Sequence, residues 1–327
     1  MNKRDYLKQR DLSAAETEQV LQRAEEFRLL RKLRTPHATR PGHVLGMLFE
    51  KASTRTRASF EIGCRELGGH PVVLNSGDSQ IGRGEPLRDT ARVLSGYCHA
   101  IMIRTFGQAR AEELASYASI PVINGLTDLL HPCQLLADLQ TVLMESTGRT
   151  RGASPGEAVS VGAVLRTHRY AWIGDGNNMA NSWIESAGLL GLELTLACPE
   201  GYDPDPTLIA EARQNPQAKI TVVRNPRDAM AGCTVVSTDV FASMGQEAEA
   251  EARRKIFASY CLDDALLKGA APDAIVLHCL PAHRGEEISE SVFEGRQSRV
   301  WQQAENRLHA QKALLEFLLV PADPSGK

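Results

Sequence analysis

Apolar and polar positions alternate in blocks along this chain, and the blocks switch between two periods. Residues 44–49 (VLGMLF) are an unbroken apolar run, short enough for a buried strand. Residues 59–67 (SFEIGCREL) repeat at helical spacing and stop at Gly68-Gly69, the residue type that favours a helix C-terminus. The alternation continues through a strand at 71–74, a helix at 86–95, a strand at 98–103 and a helix at 110–118. A strand at 120–123 and a helix at 132–146 close this first series, which an amphipathic helix over 14–33 precedes. Residues 148–162 (GRTRGASPGEAVSVG) break the periodicity with glycines, a proline and small polar residues, as a linker or surface excursion would.

A second series follows, with strands at 170–173, 192–197, 219–223, 234–237 and 274–277 and helices at 179–190 and 206–215. A last helix, 303–319, is long enough to return to the first series. Strand alternating with helix predicts an α/β protein of two doubly wound domains, each a parallel sheet flanked by helices, with the C-terminal helix packing back on the first. The expected boundaries are 1–147 completed by 306–320, and 148–305.

Composition narrows the function. The chain has 327 residues and a net charge of −3, which argues against a polyelectrolyte surface for nucleic acid. No apolar run approaches the ~18 residues of a membrane span. The charged, acidic start (MNKRDYLKQRDLSAAETEQVL) resembles neither a secretory signal nor a transit peptide. Seven scattered cysteines without a CxxC point to reduced thiols, and with the rest of the N-terminal pattern to the cytoplasm.

Chemistry-bearing residues gather where an α/β sheet binds ligands, after strands and at helix starts. Ser53-Thr54-Arg55-Thr56-Arg57 lies at a strand-to-helix turn, where unpartnered N–H groups, hydroxyls and guanidiniums suit a phosphate. Arg104 ends a strand, and alone it reads as a surface residue. His131-Pro132-Cys133-Gln134 opens a helix, with Pro at a normal start position and His131 and Gln134 able to polarise a carbonyl. Gly174-Asp175-Gly176-Asn177-Asn178 contains a GxG but not the third glycine of a dinucleotide turn, and its asparagines suit a zwitterion. The segment 237–247 (STDVFASMGQE) reads either as an ordinary exposed loop or as a mobile substrate loop. His278-Cys279-Leu280-Pro281-Ala282-His283 follows a buried strand, and its spacing with Cys133 matches no usual zinc pattern. Arg307 opens the last helix, where an arginine is usually only solvated.

Taken in order, FEKASTRTRASFE, SGDSQIGRGEPLRDT, HPCQLLADLQT, GDGNNMANSW, DVFASMGQE and HCLPAHRGEE resemble the ornithine carbamoyltransferases, over about 12–315. The resemblance implies a carbamoyl-phosphate domain and an ornithine domain, a homotrimer or multiple of trimers, and active sites near subunit interfaces. It implies transfer of a carbamoyl group from carbamoyl phosphate to the δ-amine of L-ornithine, giving L-citrulline, with no metal or organic cofactor and no nucleic-acid or membrane partner. Carbamoyl transfer to N-acetylornithine or putrescine is the alternative within the class, and a nucleotide-binding oxidoreductase the alternative outside it. Ser53, Thr54, Arg55 and Thr56 fall on phosphate-binding positions. Arg104, His131, Gln134 and Arg307 fall on positions contacting carbamoyl and phosphate oxygens, and Gln80 on one that reaches a neighbouring subunit's site. Asn178, Asp239, Ser243 and Met244 match ornithine contacts, and Cys279 and Leu280 the reacting centre. Arg55, His131, Cys279 and Asp239 are the expected catalytic residues. The chain departs from the family in having Phe241 where Trp is common, and in a longer, more basic segment at 148–168.

Overall fold

The computed structural model describes residues 3–78, 84–146, 160–242 and 249–319. Its contacts divide the chain into two compact units, Met1–Ala137 with Asn306–Lys327, and Asp138–Glu305.

In the first unit, α1 (Ala14–Lys32) precedes β1 (Val44–Phe49), α2 (Thr54–Glu66), β2 (His70–Asn75), α3 (Leu87–Tyr97), β3 (Ala100–Arg104), α4 (Gln108–Tyr117) and β4 (Val122–Leu126). The four strands form a parallel sheet in the order β2-β1-β3-β4. Central β1 and β3 are buried almost end to end, so their sequences are continuous apolar runs, whereas β2 at the edge alternates in exposure. Leu48, Leu94, Ile101, Ile103, Leu114 and Val122 make its core.

The helix α5 (Pro132–Glu145) runs across the division between the units. In the second unit come α6 (Val161–Arg166), β5 (Arg169–Ile173), α7 (Asn178–Leu190), β6 (Glu193–Ala197), α8 (Pro206–Ala212), β7 (Lys219–Val223), α9 (Pro226–Met230) and β8 (Val235–Thr238). It continues with α10 (Ala250–Ile256), α11 (Asp264–Leu267), β9 (Ile275–His278) and α12 (Glu290–Phe293). Its five strands are again parallel, in the order β7-β6-β5-β8-β9. The long α13 (Val300–Leu318) crosses back, and its part from Asn306 packs on the first unit. There Arg23 grips Glu316 through Nε–Oε2 at 2.6 Å and Nη2–Oε1 at 2.9 Å.

Each sheet reverses its winding at one place, between β1 and β3 in the first unit and between β5 and β8 in the second. Ligands of open parallel sheets bind at the carboxyl ends of the strands flanking such a point. Four of the clusters singled out from sequence lie at or after the ends of β1, β3, β5 and β8, while the His131 and Cys279 clusters follow β4 and β9.

Two segments fold differently from expectation. The helix expected at 59–67 begins at Thr54, because the Ser53 side chain accepts from the Thr56 N–H and nucleates a turn earlier. The expected linker at 148–162 ends inside α6, whose start Ser160 caps through Ala163 N at 3.1 Å; residues 147–159 lie outside the described residues.

Candidate active site

The first unit gathers its polar groups around one hydroxyl. Because α2 starts at Thr54, the STRTR run is the helix's first turn, with the N–H groups of Thr54 and Arg55 beyond the reach of an intrahelical acceptor. Ser53 serves as cap, Thr54 and Arg55 are exposed, and Thr56 is buried. Thr56 Oγ1 accepts from Arg104 Nη1 at 3.3 Å and from Arg307 Nη2 at 3.2 Å. Arg307 Nη1 also donates to Gln134 Oε1 at 2.7 Å. Four distant segments therefore meet at the Thr56 hydroxyl and the Arg307 guanidinium. The β3–β4 register shifts between Ile103 and Arg104, a kink of the kind that re-aims a side chain at the end of a strand.

His131 stands one residue before α5, and burial drives its pKa well below the usual histidine range, with the Arg307, Arg104 and Arg55 cations adding to the drop. It is therefore a neutral imidazole among guanidiniums. Gln9 and Tyr6 hold this corner, Gln9 Nε2 donating to the Pro132 carbonyl at 2.9 Å while Tyr6 O–H bonds Gln9 Oε1 at 2.6 Å. Cys133 is a structural thiol: Sγ donates to Asn124 O at 3.3 Å, and burial pushes its pKa up to about 12.

The second unit gathers acids instead. Asp239, after β8, is buried, and Oδ1 accepts from Cys279 Sγ at 3.0 Å and from Val240 N at 2.8 Å. Burial raises its pKa, opposed by His278 and the Cys279 bond and reinforced by Glu287. Asn177 reaches toward it, with Nδ2 3.4 Å from Asp239 Oδ2. Asn177 also caps α7 by accepting from Met179 N and Ala180 N, while Asn178 is the half-buried first residue of that helix.

Cys279 and Leu280 are held by a buried pair. The Leu280 N–H donates to His278 Nδ1 at 2.9 Å, which leaves Nε2 as the protonated nitrogen facing Glu287 Oε1 at 3.0 Å. The same Glu287 oxygen accepts from His283 N at 2.6 Å. Leu280 adopts φ +62°, in the left-handed region. Only glycine fits at Gly176, where a Cβ would lie 2.2 Å from Pro204 N.

Phe241 is a core residue of this unit, stacked on Phe257 with ring centroids 4.7 Å apart. Arg253 donates from Nη1 to Asp175 Oδ2 at 2.7 Å and to Phe241 O at 3.0 Å. Glu287 and Arg253 were not singled out from sequence, and Asn177 was named only as one of the asparagines of its turn, without an assigned contact. The signal for Glu287 was the second acid of HRGEE; Arg253 stands in an ordinary charged helix and carried none.

The described residues thus bring together Ser53, Thr54, Arg55, Thr56, Arg104, His131, Gln134 and Arg307 in one unit, and Asn178, Asp239, Cys279 and Leu280 in the other. Gln80, Ser243 and Met244 lie outside the described residues.

Known proteins share this arrangement. Residues 4–144 match the family described as aspartate/ornithine carbamoyltransferase, carbamoyl-P binding domain, and residues 167–318 match its Asp/Orn binding domain. An ornithine carbamoyltransferase of Pelobacter propionicus is 52% identical over 316 residues, covering 97% of this chain and 98% of the relative. The anabolic ornithine carbamoyltransferase of Pseudomonas aeruginosa is 50% identical over 319 residues, with 98% of each chain covered. The solved ornithine carbamoyltransferase of Pyrococcus furiosus superposes with a TM-score of 0.89 at 44% identity, covering 98% of both chains. Two parallel sheets, a cationic turn after β1, an acidic end to β8 and identity at this level lead to one conclusion: the chain belongs to the aspartate/ornithine carbamoyltransferase family.

Proposed function

We propose that the protein transfers the carbamoyl group of carbamoyl phosphate to the δ-amine of L-ornithine, giving L-citrulline and phosphate. The observation that carries this reading is the meeting of Arg104 and Arg307 at the Thr56 hydroxyl, with a buried His131 whose pKa is driven down by burial and by the Arg307, Arg104 and Arg55 cations. A dianionic phosphate calls for guanidiniums and helix-start N–H groups; a carbonyl oxygen calls for a donor that is not lost to the phosphate's charge.

The unit of residues 1–137 and 306–327 is assigned to carbamoyl phosphate, and residues 138–305 to ornithine. Arg104, Arg307, Ser53, Thr54 and Thr56 with the first-turn amides hold the phosphate. His131, Arg55 and Gln134 attend the carbamoyl group, and Cys279 and Leu280 of the other unit are assigned to the reacting centre. The amine nitrogen attacks the carbonyl carbon, the C–O bond to phosphate breaks with its electron pair leaving on oxygen, and the departing phosphate takes up the proton the amine loses. Negative charge on the carbonyl oxygen at the tetrahedral stage is met by Arg55 and His131, a donor of this kind being worth about 3–4 kcal/mol.

The amine must be neutral to attack. An ordinary alkyl ammonium has a pKa of about 10.4, so presenting it unprotonated at pH 7 costs roughly 4–5 kcal/mol. Asp239, beside Cys279 and Asn177, orients the amino groups of ornithine, with Asn178 at the neighbouring helix start. Gln80, Ser243 and Met244 complete the assigned contacts. The working assembly is a homotrimer or a multiple of trimers.

The test is carbamoyl phosphate with ornithine, N-acetylornithine, putrescine and aspartate in parallel, scored for ureido product. Ornithine is expected to be the preferred acceptor by at least about a hundredfold in kcat/KM, the discrimination that unpaired buried polar groups impose on a wrong substrate. Faster carbamoylation of another amine contradicts the assignment.

A further inference from the structure

Lys312 lies in the interior of the first unit, with a fully buried side chain. Its Nζ donates to Glu66 Oε2 at 2.7 Å, at the last residue of α2. It donates a second time to His37 Nε2 at 3.0 Å; the other ring nitrogen faces the Thr35 carbonyl at 2.9 Å, which makes Nδ1 the donor and leaves Nε2 to accept. The ammonium also sits 5.0 Å from the centroid of the Phe27 ring, and Arg31 shares Glu66. Burial first, and Arg31 second, push the Lys312 pKa down to about 7. An aliphatic side chain would fill this volume at less cost, so volume does not explain a lysine here.

The geometry around it does. The two helices touch along one line, in the same sense: Thr56 meets Arg307, Gly63 meets Leu308 and Lys312, and Glu66 meets Lys312. At Gly63 a Cβ would come within 3.1 Å of Lys312 Cγ and 3.5 Å of Leu308 Cδ1, so the helices approach as closely as a missing side chain allows. Apolar contact alone lets one helix slide on another. A directional bond at the far end fixes the register, which is the best-attested use of a buried polar pair.

We infer that Lys312 is a positioning residue: by tying α13 to Glu66 of α2 it sets the register at which Arg307 meets Thr56 and Gln134. The inference rests on the reading of Arg307 as a phosphate ligand. Lys312 touches none of the proposed substrate contacts itself and acts through the helix it anchors.

The test is calorimetric binding of carbamoyl phosphate and steady-state kinetics on the full-length protein, Lys312→Met and Glu66→Gln. Lys312→Met keeps the stem against Gly63 and removes the ammonium with its hydrogen bonds to Glu66 and His37. The expected result is about a tenfold weaker Kd and KM for carbamoyl phosphate, with kcat changed less than about twofold and the double variant no worse than either single one. A merely structural role lowers the melting temperature and leaves the KM for carbamoyl phosphate in place, so folded Lys312→Met with unchanged affinity overturns the inference. Should Lys312→Met not accumulate as folded protein, Glu66→Gln decides alone, because it retains every buried methylene. Wild-type protein that binds neither carbamoyl phosphate nor inorganic phosphate contradicts the underlying reading, and the purpose of the tie with it.

Discussion

The two units solve opposite electrostatic problems with the same architecture. Both place their polar residues at the carboxyl ends of parallel strands, yet the first presents guanidiniums around a neutral imidazole and the second a buried carboxyl bonded to a thiol. In the first, Arg104 and Arg307 both donate to Thr56 Oγ1 and Arg307 also to Gln134 Oε1, so the cations converge where the proposed anion is placed. In the second, Asp239 is braced by Cys279, Asn177 and a backbone N–H, so its charge remains available to an ammonium. The difference teaches that fold fixes the place and side-chain bracing fixes the sign.

The largest effect is expected from Arg55→Ala. Arg55 is exposed and opens α2, so its loss should spare the melting temperature while lowering kcat about a hundred- to a thousandfold. Near-normal citrulline synthesis would remove Arg55 from the cationic half. Asp239→Asn comes next. It keeps the volume and removes the charge, and kcat/KM for ornithine should fall about a hundredfold, the value of a lost charge-assisted contact. An unchanged ornithine KM would break the contrast between the units.

Arg253→Met tests how the acidic half is supported. Arg253 ties Asp175, after β5, to the Phe241 carbonyl, after β8. Its loss leaves a buried carboxyl without its cation and should cost about 2 kcal/mol of stability. Burial already raises the Asp175 pKa, so the deficit should shrink as pH falls and Asp175 protonates. Thermal melts at pH 7 and pH 5 give the comparison, and an equal deficit at both argues against the ion pair as cause.

The smallest effect at neutral pH concerns His309 of α13, whose influence grows only on acidification. Burial, aided by Lys312 and nearby arginines, lowers its pKa to about 3. The unfolded chain takes a proton on this residue as pH drops below about 6.5, while the folded chain does not, so stability is lost on acidification between those values by up to about 1.4 kcal/mol per pH unit. His309→Gln should flatten that slope in denaturant titrations from pH 7 to pH 4. A slope that stays the same means His309 titrates alike in both states.

Sequence revealed much of this plan and concealed a definable part. Continuous apolar runs such as 44–49 and 100–103 announced strands covered on both faces, and with them the two-sheet α/β plan. The phosphate half was legible because its donors are contiguous, five polar residues in one helical turn. Even so, periodicity set the start of α2 too late, because one serine cap outweighs a polar stretch without apolar spacing. Arg104 and Arg307 looked like solvated ends when read alone; only folding brings both to Thr56, from positions 48 and 251 residues away in sequence. The acidic half was harder to read, since Asp239, Asn177, Cys279 and Glu287 come from separate strand ends. Short helices such as α9, α11 and α12 escaped notice because one turn carries no period to detect.

The most direct check on this division of labour is calorimetric titration of carbamoyl phosphate into wild-type protein, Arg55→Ala and Asp239→Asn. Affinity should fall at least about tenfold in Arg55→Ala and stay within about threefold of wild type in Asp239→Asn. Tight binding that survives loss of Arg55 but not loss of Asp239 would contradict the assignment of the anion to the first unit.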